Sequence, residues 1–104
     1  MKILTELKKA DWYNCLKIHE ALGLADMWWG ETLVNDDDYT DYDRWNKNLD
    51  VANTVARQRF MELRGYIPWE HPEKAVDLGP VLQAAHDKAV ADLADILWKE
   101  GEFA

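Results

Sequence analysis

The chain is predicted to be a mainly α-helical domain of three to four helices, with at most a short two-stranded β element. Apolar residues recur at spacings of three and four over two long stretches, the period of a helix with one buried face. Residues that start and stop helices bracket those stretches. The single cysteine, Cys15, cannot form an intramolecular disulfide, so a hydrophobic core has to hold the fold. At 104 residues there is surface enough for one such core, and residues 1–104 are expected to form one helical domain.

The first helix is expected over Asp11–Leu22, with Gly23 as its stop and an extension back toward Thr5 as the alternative start. Trp12, Cys15, Leu16, His19 and Leu22 then share one face. Between Gly23 and Asp38 the pattern is mixed. Met27-Trp28-Trp29-Gly30 reads as a helical turn, and Thr32-Leu33-Val34 as a short strand able to pair with Tyr66-Ile67-Pro68-Trp69.

The clearest helix runs from about Asp41 to Arg64. Thr40 opens it, with Asp43 three residues on, and Gly65 closes it. Tyr42, Trp45, Leu49, Ala52, Ala56, Phe60 and Leu63 form its core stripe. Asp41 and Asp43 sit at the positive end of the helix dipole, whereas Arg57, Arg59 and Arg64 lie toward its negative end. His71–Val76 reads as a short helical turn.

The last helix starts at Gly79-Pro80, proline being favoured in a first turn, and ends near Glu100-Gly101. Leu82, Ala85, Ala89, Leu93, Ile96 and Leu97 share one of its faces, and Ala84, Ala91, Ala94 and Trp98 the opposite one. The first face is expected to join the core. The second points to a central place in the bundle or to a homo-oligomer interface.

Charge narrows the function. Twelve basic against 20 acidic side chains give a formal charge of -8. That excludes direct binding of a phosphate backbone, whose affinity comes from cations displacing counterions, and an anionic membrane surface. No apolar run reaches the length of a transmembrane span, and Lys2-Ile3-Leu4 gives way at once to Thr5-Glu6, so neither a membrane anchor nor a signal peptide is expected; a cytoplasmic protein is.

The charge is also located. Residues 36–50 hold six acids against two bases, a net -4, and the following stretch, 51–68, is net +2. Asp36-Asp37-Asp38-Tyr39-Thr40-Asp41-Tyr42-Asp43 packs five carboxylates and two tyrosines into eight residues. As a calcium loop it fails, with Asp41 where the turn needs glycine and Lys47 where a bidentate glutamate belongs. As a contact surface it fits a basic partner, because carboxylates steer encounter and tyrosines supply rigid contact area.

Other chemistry finds little support. Cys15 and His19 are four apart and able to touch, but no glycine-rich turn offers the oxyanion hole a nucleophile needs. Metal ligation by Cys15, His19, His71 and His86 would require distant segments to converge without any CxxC or HExxH spacing. Phosphate-loop, dinucleotide and nucleophile-elbow motifs are absent. Six tryptophans exceed what filling the core requires; Trp12 and Trp45 lie on core stripes, while Trp28, Trp29, Trp69 and Trp98 either staple irregular segments or anchor a contact.

The expectation is a small non-enzymatic interaction module, an inhibitor or adaptor without cofactor or metal. Asp36, Asp37, Asp38, Tyr39, Asp41 and Asp43, with Trp28 and Trp29, would engage a basic protein surface. Nucleic-acid-processing machinery, the target of viral or prophage counter-defence inhibitors, is one such partner. The alternatives are a homo-oligomeric structural or assembly protein using Ala84, Ala91, Ala94 and Trp98 and, last, a metal-dependent enzyme.

Overall fold

The computed structural model describes residues 2–32, 40–75 and 78–100, without the side chains of 29–32, 40–42 and 98–100. Four α-helices account for most of them: α1 (Ile3–Lys9), α2 (Trp12–Thr32), α3 (Thr40–Arg64) and α4 (Gly79–Glu100). The link between α3 and α4 holds two single 3₁₀ turns, Pro68–Glu70 and Pro72–Lys74. The mainly α architecture expected from periodicity is the one observed.

The helix expected from Asp11 begins where predicted, with Asp11 as its cap and Trp12 as its first residue; the alternative extension back toward Thr5 is a separate helix, and the end differs from expectation. Asp11 does not continue an earlier helix; its side chain accepts the backbone N–H of Asn14 at 2.8 Å and caps a new one. The chain therefore breaks at Ala10, whose backbone is extended, and α1 stands apart from α2. Arg59 of α3 donates from Nε to the Ala10 carbonyl at 2.8 Å, satisfying an acceptor that the break exposes.

At the other end, Gly23 does not stop α2, which runs on to Thr32. A lone glycine in a helix costs only about 1 kcal/mol. Here Leu22 and Ala25 on either side of it are fully buried and hold the helix together. Met27 and Trp28 are helical as expected. The proposed strand pairing is not formed by the described residues: Thr32 ends α2, Pro68 and Trp69 form a 3₁₀ turn, and no described residue lies in a strand. Leu33 and Val34 lie outside the described residues.

α3 and α4 match their predicted bounds closely. Gly65 closes α3 in the left-handed region at φ +75°, where a β-carbon is disfavoured, and its N–H completes the last turn to the Met61 carbonyl at 2.9 Å. On α3, Trp45, Ala52, Ala56 and Phe60 are buried, with Leu49 and Leu63 half-buried, as the stripe requires.

α2 is the central helix. It runs antiparallel to α3, as Cys15 beside Ala56 and Asp26 beside Trp45 show. It also runs antiparallel to α4: Glu20 meets His86, and Leu93, further along α4, lines a groove with Ala10, just before α2, and Asn14 in its first turn. α1 packs on α3 and α2, so α2 is covered on two sides by α1/α3 and by α4. Ile3, Leu7, Ile18, Leu22, Phe60, Val90 and Leu97 fill the shared core.

The faces of α4 are the main correction. Its buried line is His86, Val90, Ala94 and Leu97, whereas Leu82, Ala85 and Ile96, expected in the core, are exposed. Ala94 of the expected oligomer face is fully buried, Ala91 is half-buried and only Ala84 is exposed; the Trp98 side chain lies outside the described set. Leu97 and, half-buried beside it, Leu93 do join the core as expected, so the buried line runs between the two predicted faces, taking Leu97 from one and Ala94 from the other, where the apolar surface of α2 meets it.

Candidate functional site

The acidic segment joins α2 to α3, and two side chains fix the helix ends it connects. Trp45, in the second turn of α3, donates its indole N–H to Asp26 Oδ1 of α2 at 2.8 Å. A buried indole needs such an acceptor, and this one ties the C-terminal part of α2 to the start of α3. Asp41 lies in the first turn of α3, Asp43 is exposed in the same helix, and Trp28 is half-buried on α2. Asp36, Asp37, Asp38 and Tyr39, and the side chains of Trp29 and Asp41, lie outside what the structure describes.

Cys15 and His19 lie on one face of α2, as their spacing requires, and are built into the fold. The Cys15 thiol is fully buried and points at the Ala56 carbonyl 3.8 Å away. Burial pushes its pKa up to about 11, against a smaller opposing pull from the Arg59 guanidinium, so it stays protonated and a poor nucleophile. His19 stacks flat on Trp69, ring centroids 4.4 Å apart and planes 12° off parallel, and meets Phe60 edge-on. Burial lowers its pKa, with the Glu20 carboxylate acting weakly the other way.

Trp69 thus fastens the α3–α4 link onto α2, and Arg57 of α3 lies over the same indole at 5.8 Å while pairing with Glu70 at 3.1 Å. Trp12 is held in the same way, between Phe60, Tyr66 and the Arg64 guanidinium, 4.4 Å from its ring. Of the readings open to these tryptophans, stapling irregular segments accounts for Trp69. The arginines of the +2 stretch are likewise committed to internal contacts.

Sequence reasoning missed the polar clasp between α2 and α4. His86 is only 7% exposed, and its Nε2 lies 2.7 Å from Glu20 Oε2 while Nδ1 lies 3.4 Å from the Tyr13 hydroxyl. Tyr13 and Glu20 are seven apart and therefore on one face of α2, the single hint the sequence offers. Both ring nitrogens have a partner, so the clasp locates α4 on α2.

A groove of about 410 Å³ lies where the α1–α2 corner meets α4, lined by Glu6, Lys9, Asp11, Lys17, Ile18 and Leu93 among others. Its charges are balanced and engaged: Lys9 pairs with Glu6 at 3.2 Å and Asp11 caps α2. Among the described residues no group of three or more His, Cys, Asp or Glu side chains is placed to hold a metal ion, and no helix is long and apolar enough to cross a membrane. Comparison with family models, with curated proteins and with solved structures finds no match to this chain.

Proposed function

We propose that the chain is a non-enzymatic interaction module, an inhibitor or adaptor, that uses the Asp36–Asp43 segment to engage a basic surface of a partner protein. The observation that carries this reading is the concentration of charge. Half of the net -8 lies in residues 36–50, in and beside the connection between two helix ends held together by Asp26 and Trp45. The Asp26–Trp45 hydrogen bond ties α2 to the start of α3 on either side of that run in the sequence. Clustered carboxylates speed association with a positive surface more than they deepen affinity. Trp28, which packs partly on the core, and Trp29 precede the acidic run in sequence and offer aromatic contact area.

The commitment of Cys15, His19 and His86 to packing favours this reading over a catalytic one. The partner is a protein presenting lysines and arginines, of the kind found on nucleic-acid-processing machinery. Affinity capture from the native host tests the reading. The retained partner should bind the triple variant Asp36→Lys, Asp37→Lys, Asp38→Lys at least about tenfold more weakly than the wild type, each such factor being 1.4 kcal/mol. Undiminished affinity would overturn it.

A further inference from the structure

We propose that Tyr13 is a covalent acceptor: its phenol, with His86 as base and Glu20 as the group that orients that base, takes up one acyl group from an activated acyl donor, an aryl ester or a thioester. The three side chains stand in line across the contact between α2 and α4. Glu20 Oε2 lies 2.7 Å from His86 Nε2, and His86 Nδ1 lies 3.4 Å from the Tyr13 hydroxyl. A carboxylate only accepts hydrogen bonds, so Nε2 carries the ring proton and Nδ1 turns its lone pair to the phenol. A hydroxyl beside a base, with that base fixed by a third group, is the arrangement that activates a nucleophile.

Burial and access divide the parts as this chemistry requires. His86 is 7% exposed, which limits the competition of water for Nδ1, whereas Tyr13 is 46% exposed and open to a donor from solution. The imidazole is held by packing as well, its ring meeting the Tyr13 ring edge-on with centroids 5.6 Å apart. Lys17, one turn on from Tyr13, places its ammonium 5.7 Å from the centre of the same phenol ring, a positive charge beside the anion that develops. The contact between hydroxyl and Nδ1 is long for a resting hydrogen bond, and such contacts tighten as the proton moves.

In the transfer, the phenol oxygen attacks the carbonyl carbon while its proton passes to Nδ1, and the Glu20 carboxylate holds the imidazolium that forms. The bond from carbon to the Tyr13 oxygen is made and the bond from carbon to the aryloxide or thiolate is broken. The proton then returns to that leaving group, and nothing is oxidised or reduced. One group is taken up per chain, so the step requires no turnover and stands beside the interaction role. It uses α2 and α4 and not the acidic segment, so either proposal can fail without the other.

Tyr66 offers a comparison within the same molecule. It too has a cation over its ring, Lys74 at 4.5 Å, and a histidine edge-on, His71 at 5.8 Å. There, His71 Nδ1 turns to Glu73 at 3.0 Å and not to the hydroxyl. Tyr66 therefore has similar neighbours without a base aimed at its oxygen.

Reaction of the full chain with 4-nitrophenyl acetate tests the inference, the acetylated residues being located by mass spectrometry of proteolytic peptides. Tyr13 should be acetylated at least about tenfold faster in the native protein than in denaturant, where it is more exposed but has lost its base; a positioned base typically contributes more than that. Tyr66 should gain nothing from the fold. Glu20→Gln, at a half-exposed position, should keep the helical circular-dichroism spectrum and slow Tyr13 by about tenfold, since the base loses the charge that orients and stabilises it. With rising pH the native Tyr13 rate should level off below ~10, where free phenols are still ionising, and in Glu20→Gln it should follow the free phenol. A Tyr13 that reacts no faster native than denatured, or a native rate that Glu20→Gln leaves unchanged, would overturn the proposal.

Discussion

At the scale of single residues, most side chains that resemble chemistry serve packing. Cys15 is the clearest case. Its pKa, ordinarily 9.0, rises to about 11 in the fold because the thiolate would be buried. A group whose proton is held more tightly in the folded state stabilises that state fully below its unfolded pKa and loses the contribution as pH rises. Stability should therefore hold up to about pH 9 and fall between 9 and 11, by up to about 2 kcal/mol at 1.36 kcal/mol per unit. Urea denaturation across that range measures it, and Cys15→Ala should remove the Cys15 part of the slope. The same burial predicts that a thiol-specific reagent labels Cys15 slowly in the native protein and quickly in denaturant.

At the scale of elements, two glycines that look alike in sequence have opposite roles. Gly23 lies in the body of α2, is exposed, and a β-carbon built there meets nothing within 4 Å. Gly23→Ala should raise stability by roughly 0.5–1 kcal/mol, because the glycine's extra freedom in the unfolded chain is removed at no steric cost. Gly65 also has open space, but its φ of +75° strains any β-carbon, so Gly65→Ala should cost about 1–2 kcal/mol. Thermal unfolding of the two variants checks the sign of each. The bounds of α3 and α4 were legible because Thr40, Gly65, Gly79 and Pro80 carry local backbone preferences. Gly23 misled for the same reason: its preference was overridden by Leu22 and Ala25, whose burial depends on neighbours far along the chain.

The docking of α4 was legible only in part: Leu93 and Leu97 join the core as expected, but the phase of the helix on α2 was not readable. His86 meets Glu20 and Tyr13 across 66 and 73 residues of sequence, and nothing local marks that pairing. The apolar positions of α4 allowed two phases, and only the surface of α2 sets the one observed, between them. His86→Ala removes a buried ring and leaves Glu20 without its partner, so α4 should loosen by roughly 2–3 kcal/mol. Amide hydrogen exchange should then quicken over 79–100 more than over 40–64. Equal protection in variant and wild type would deny the clasp its role.

At the scale of the whole molecule, α2 organises the fold. It is apolar on two sides because α1 and α3 cover one and α4 the other, whereas the sequence pattern of the last helix left open a central place in the bundle or an oligomer contact. α4, packed mainly on α2, leaves Val81, Leu82 and Ile96 exposed. Two features of the chain bear on function: a run of aspartates between α2 and α3 in the sequence, and exposed apolar residues, Val81, Leu82 and Ile96, on α4. The first was legible as a run of aspartates. The second was legible as apolar residues and assigned to the core, because sequence alone does not show which face of a helix finds a neighbour.

The claim that the acidic connection is the partner-binding surface is tested most directly by the salt dependence of partner affinity. The captured partner's affinity for the wild-type chain should fall steadily as ionic strength rises, and the slope should flatten for the variant with lysines at 36, 37 and 38. A wild-type affinity indifferent to salt, or an identical slope in both proteins, would contradict it.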